Sequence, residues 1–142
     1  MKTSESRFRK CMYFSSNALA RKMEKLANES WQRVGLSPSH AYLLMIVIEE
    51  PGVQPGTLAG ELQLKPSTIT RLIEKLEEKK LVVRITEGKT TSVYATPKGR
   101  ELTPQLKECL TNFYEGYSHV LGLEESSKLV ANMNRLSDEL PG

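Results

Sequence analysis

A chain of 142 residues with a net charge of +3 is the size of one domain and can bury roughly two thirds of its unfolded surface. Apolar and charged contents of 39% and 26% are ordinary for a globular protein, and the longest apolar run, Ala41 to Ile48, is far short of the ~20 residues of a membrane-spanning helix. Two cysteines, Cys11 and Cys109, exclude a disulfide framework and suit a reducing cytoplasm, and the basic N-terminal stretch has no continuous apolar segment of the kind a secretory signal needs.

In chain order, Phe8, Met12, Ser15, Leu19, Met23 and Leu26 recur at three-to-four spacing. This predicts an amphipathic helix from Phe8 that continues to Trp31 and Val34 and stops at Gly35. Ser37 as N-cap and Pro38 at the first helical position open a second helix through "AYLLMIVI". After the turn "EPGVQPG", the stretch "TLAGELQL" reads as a short third helix with Leu58, Ala59 and Leu62 inward. The fourth helix begins in "KPSTITRLIEKLEEKKLV", from Lys65 to Val82. The period then changes to two: "LVVRIT" and "TSVYAT" are β-branched runs on either side of "EGKT", the pattern of a β-hairpin. Thr96 as cap and Pro97 restart a helix, expected to run unbroken through Leu102, Leu106, Cys109, Leu110, Phe113 and Tyr117 to Gly122. A last helix carries Leu129, Val130, Met133, Leu136 and Leu140 on one face.

This order predicts a mainly α chain with a small β-hairpin wing, a winged helix-turn-helix. The DNA-binding lobe would span residues 37–96, and residues 1–36 and 97–142 would form a helical dimerisation region. The terminal helices have apolar faces that one lobe does not cover, and such faces pack on a second subunit. A homodimer is therefore expected.

Within the fourth helix, Ile69, Leu72, Ile73 and Leu76 fall at i, i+3, i+4 and i+7, one buried stripe. Ser67, Thr68, Thr70, Arg71 and Lys75 fall off it, toward the N-terminal half. Short hydroxyl side chains allow close approach to a surface, arginine forks onto the O6 and N7 of guanine, and an open helix N-terminus suits a phosphate. A recognition helix places such a face in the major groove. The plainer reading is a solvated face, which the mixed charges Glu74, Glu77 and Glu78 favour; the short helix before it and the hairpin after it favour DNA. Lys65, and Arg84 and Lys89 on the hairpin, extend the basic set toward a duplex backbone.

"LSPSHAYLLMIV", "TLAGELQLKPSTITRLIEKLEEKKLV" and "YATPKGREL" resemble the corresponding segments of the MarR family of bacterial transcription regulators. The resemblance covers nearly the whole chain. It implies a winged helix-turn-helix, an obligate homodimer joined by the N- and C-terminal helices, and binding to a pseudo-palindromic operator in double-stranded DNA, usually as a repressor released by a small-molecule effector or by oxidation. The wing departs from the family's Asp-x-Arg pattern: Glu87 and Lys89 stand where that pair would be. Lysine lacks the planar fork of arginine and is more strongly hydrated.

Other constellations carry less. Thiol-sensing members of the family keep a cysteine near the position of Cys11, and Arg7, Arg9 and Lys10 would favour its thiolate. Its place on an apolar stripe favours instead a small packed hydrophobe. Tyr13, Trp31, His40 and Tyr42 flank the junction of the first two helices, where an effector pocket or ordinary core would lie. His40 and His119 have no metal-ligand spacing with the two cysteines, and no nucleophile, metalloprotease or phosphate-loop motif occurs. No metal, cofactor or enzymatic activity is expected. Two alternatives to an effector-released repressor remain: a thiol-based redox regulator using Cys11, and a winged helix that binds protein rather than DNA.

Overall fold

The computed structural model describes residues 1–142. Its elements are α1 (Met12–Trp31), α2 (Pro38–Glu49), α3 (Pro55–Leu62), α4 (Pro66–Glu78), β1 (Val82–Glu87), β2 (Thr90–Ala95), α5 (Pro97–Glu101), α6 (Thr103–Leu121) and α7 (Leu123–Glu139). This is the expected winged helix-turn-helix flanked by long helices. No helix is long and apolar enough to cross a membrane.

The caps formed where the sequence put them. The hydroxyl of Ser37 accepts from the His40 N–H at the start of α2, and that of Thr96 accepts from the Gly99 N–H at the start of α5. Gly35, at φ +70°, closes the single 3-10 turn that follows α1. The hairpin pairs Glu87 with Thr90 across a two-residue loop in which only Gly88 has positive φ, the II′ pattern that matches strand twist. Val53 adds a single antiparallel bridge to Val93, which the sequence did not announce.

Three boundaries differ from expectation. α1 begins at Met12 rather than Phe8, because the Ser6 hydroxyl accepts from the Phe8 N–H and draws that segment into turns instead of helix. α3 begins at Pro55, inside what reads as a turn, with the proline in the first turn where its missing N–H costs nothing. The long helix expected after the wing is two helices, α5 and α6, broken at Leu102. Pro104 has no N–H to give the Arg100 carbonyl, which accepts instead from the Thr103 hydroxyl at 2.7 Å.

One continuous core joins the lobe to the terminal helices. Leu43, Leu44, Val47, Leu58, Ile69, Ile73, Leu76 and Val93 fill the lobe, and the same cluster runs on through Trp31, Leu106 and Cys109. Trp31 is fully buried, edge-on to Tyr42 and tilted against Phe113. α7 packs on α6 and otherwise leaves its apolar residues open: Leu129 and Met133 are 41% and 43% exposed.

α4 ends in a Schellman motif without glycine. The Leu81 N–H reaches the Leu76 carbonyl, the Lys80 N–H reaches that of Glu77, and Lys80 sits at φ +62°. A left-handed backbone costs a residue with a Cβ roughly 1–2 kcal/mol. Lys80→Gly is therefore expected to stabilise the protein by about 1 kcal/mol, after allowing for glycine's freer unfolded chain. Denaturant titration of both proteins checks this; a lower midpoint for the variant would refute it.

Candidate nucleic-acid interface

α4 separates its two sides cleanly. Ile69, Ile73 and Leu76 are buried and Leu72, expected on the same stripe, is half-buried, while Ser67, Thr70, Arg71 and Lys75 are exposed; Thr68 is half-buried at the edge. Lys65 occupies the N-cap without a side-chain hydrogen bond, and its carbonyl accepts from the Thr68 and Ile69 N–H groups, so the open donor of the first turn is the N–H of the exposed Ser67. Thr70 donates its hydroxyl to the Pro66 carbonyl at 3.1 Å, so it offers a methyl and oxygen lone pairs rather than a free donor.

The basic residues divide by what already holds them. Arg84 is paired with Glu77 at 2.7 Å, the tightest ion pair in the chain, and both partners are two-thirds buried. That pair ties β1 to α4 and sets the angle between wing and helix; it takes Arg84 out of the free basic set that the sequence suggested. Lys75 makes a looser contact with Glu78 at 3.5 Å, exposed to solvent, of the kind that contributes little. Lys65, Arg71 and Lys89 make no ion pair. Lys89 stands exposed at the tip of the wing beside Gly88. Of the basic residues expected to face DNA, the free ones thus lie at the N-cap of α4, one turn into α4, and at the wing tip.

The effector candidates do not come together as a set. Tyr13 is 80% exposed near the start of α1. Trp31 lies in the core, its indole N–H without a partner. Tyr42 lines a hollow of about 310 Å³ with Met23, Ala27, Phe113 and the N-terminus of α2. His40 is not part of that hollow. Burial, and then the charges of Lys79 and Lys75 on α4, push its pKa below the ordinary histidine value, so it stays neutral near pH 7. Sequence periodicity had no means of finding Met23, Ala27 and Phe113 beside Tyr42, since the four residues come from three helices.

The thiols are placed opposite to their sequence context. Cys11 is exposed as the N-cap of α1 and so lies outside the helical stripe on which it was expected to pack. Cys109 is buried in the core, and burial raises its pKa despite Arg33 nearby.

A model of the MarR family matches residues 34–90, the segment that contains α2 to the wing tip. Over that segment the chain is similar to the MarR family. Among relatives, the chain is 25% identical over 105 residues to a protein described as a transcriptional regulatory protein for the hcr operon of Thauera aromatica, covering 72% of this chain and 63% of that one. The match therefore spans less than two thirds of that relative's length. Two solved structures share the fold of this chain. S. aureus MepR in complex with DNA superposes with a TM-score of 0.78 at 18% identity, over 91% of this chain and 98% of that one. CouR from Rhodococcus jostii RHA1 bound to p-coumaroyl-CoA gives 0.78 at 20% identity, over 100% and 99%.

Proposed function

We propose that this chain is a homodimeric, sequence-specific DNA-binding transcription regulator whose α4 enters the major groove. The observation that carries the reading is the polar side of α4, where an unpaired Arg71 stands among exposed small residues above a fully buried apolar stripe. The DNA-bound structure with the same fold supports this assignment.

Arg71 reads bases and Lys89 holds backbone. Arg84 acts indirectly, by fixing the wing to α4 through Glu77. Arg71→Ala should cost about 1–3 kcal/mol on the operator and relax preference at one base position per half-site. Lys89→Ala should weaken all duplexes alike and lower the salt slope by about one unit per subunit. Titration of both variants against selected and scrambled duplexes at several salt concentrations separates the two roles. Equal weakening of both duplexes by Arg71→Ala would remove its base-reading role.

The regulator acts as a repressor released by a small molecule. The hollow beneath the N-terminus of α2 supports this, because a ligand seated between α1, α2 and α6 would bear directly on the helix that packs against α4. The ligand-bound structure of the same fold is consistent with such a site. Substituting Phe113 by Ala should alter effector response without removing DNA binding of the free protein.

A further inference from the structure

We infer that the hollow between α1, α2 and α6 takes a small organic cation, an aromatic amine or quaternary ammonium, as its ligand. The inference rests on the reading of that hollow as the effector site and adds the chemical class of the effector. Its volume of about 310 Å³ lies at the lower end for ligand sites and suits a body of one ring.

The lining is aromatic and carries one charge. Met23 and Ala27 of α1, Tyr42 of α2 and Phe113 of α6 supply the apolar part. The two rings pack on the buried Trp31, with centroids 5.2 Å from it for Tyr42 and 5.4 Å for Phe113. Aromatic faces attract a cation, and the thioether of Met23 is polarizable. Burial raises the Tyr42 pKa, so that ring stays a neutral phenol. Glu24, next to Met23 on α1, is the single charged side chain on the hollow, and it makes no ion pair. Arg21 and Lys25 border a separate, polar hollow that shares Glu24 and Asn28 with this one.

The same hollow is poorly made for an anion. No lysine, arginine or histidine lines it. The start of α2 is its source of backbone donors, and most of them are engaged. The Ser37 hydroxyl accepts from the His40 N–H, the Ser37 carbonyl accepts from the Ala41 N–H, and Pro38 has no N–H to give. That leaves the Ser39 N–H to face an anion, whereas a helix N-terminus that binds one presents several. A cation instead meets Glu24 with its charge and the two rings with its body.

The test compares benzyltrimethylammonium, benzyl alcohol and benzoate as one-ring probes of the full chain. Calorimetry gives their affinities. Emission from Trp31, the single tryptophan of the chain, reports whether a probe lies against Tyr42 and Phe113. The cation is expected to shift that emission and to bind at least about tenfold more tightly than benzoate, the joint effect of rings and carboxylate. Glu24 is exposed, so Glu24→Gln keeps the fold. That variant is expected to weaken the cation about two- to fivefold and to leave benzyl alcohol unchanged. Glu29→Gln, which alters the polar hollow alone, is expected to change none of the three. Benzoate that binds as tightly as the cation would overturn the cationic class, as would a cation that leaves Trp31 emission unmoved, an unchanged cation affinity in Glu24→Gln, or a chain that binds none of the probes. The effector reading stands or falls separately. A cation that fills the hollow without changing duplex affinity supports the class and removes the release of DNA. Benzoate that fills the hollow and weakens duplex binding keeps the release and overturns the class.

Discussion

Gly99→Ala is expected to destabilise the protein by about 3 kcal/mol, at the upper end of the cost of overpacking. A Cβ at Gly99 would collide with the backbone carbonyl oxygen of Leu81. That carbonyl accepts from the Thr96 N–H at 3.0 Å, and the Thr96 hydroxyl donates to the Lys80 carbonyl at 2.7 Å. The end of α4, the base of the hairpin and the start of α5 are therefore pressed together backbone to backbone. Neither side has a flexible side chain that can yield, so α5 must move away, and the Thr96 bonds and the Leu81–Ala95 end of the hairpin core loosen with it. In a chain whose total stability is about 5–15 kcal/mol, this should lower the melting temperature by roughly 10 °C. Thermal unfolding followed by circular dichroism measures it. A melt indistinguishable from wild type would mean that the close approach relaxes without consequence.

Leu129→Asp should split the dimer while leaving each subunit folded. Leu19, Met23, Tyr117, Leu129 and Met133 line an apolar groove of about 470 Å³ between α1, α6 and α7. In the single chain Leu129 is partly open to water, so a carboxylate there costs the subunit little. In a dimer that closes the groove, the same carboxylate is buried without a partner, at about 3–5 kcal/mol, or about 10²- to 10⁴-fold in dissociation constant. Leu110 is a poorer place for the test, because it lies beside Met45 and Ile48 of α2, in a different hollow. Sedimentation at micromolar concentration should give a dimer for the wild type and a helical monomer for the variant. A wild-type chain that sediments as a monomer would contradict the dimer outright.

Residues that act on near neighbours were legible in the sequence. The stripe of Ile69, Leu72, Ile73 and Leu76 is a matter of helical period, and the structure buries all of it but Leu72, which is half-buried. Ser37 and Thr96 cap their helices through bonds that span three residues, and Gly88 turns the hairpin through its own backbone angle. These contacts are local, so residue type and spacing determine them. The exposed side of α4, with Ser67, Arg71 and Lys75, followed from the same periodicity.

What tertiary structure alone decided are the relations between segments distant in the chain. Arg84 reads as a free cation until packing brings Glu77 to it. His40 reads as a pocket residue beside Tyr42 until the hollow that Tyr42 lines is found to leave it out. Gly99 looks like an ordinary first-turn residue of the helix that Thr96 and Pro97 start until the Leu81 carbonyl is found against it. Charge pairing, the lining of a hollow and close backbone approach depend on distances of a few ångströms between elements. Those distances are set by how the helices pack, and a one-dimensional pattern of residue types does not contain them.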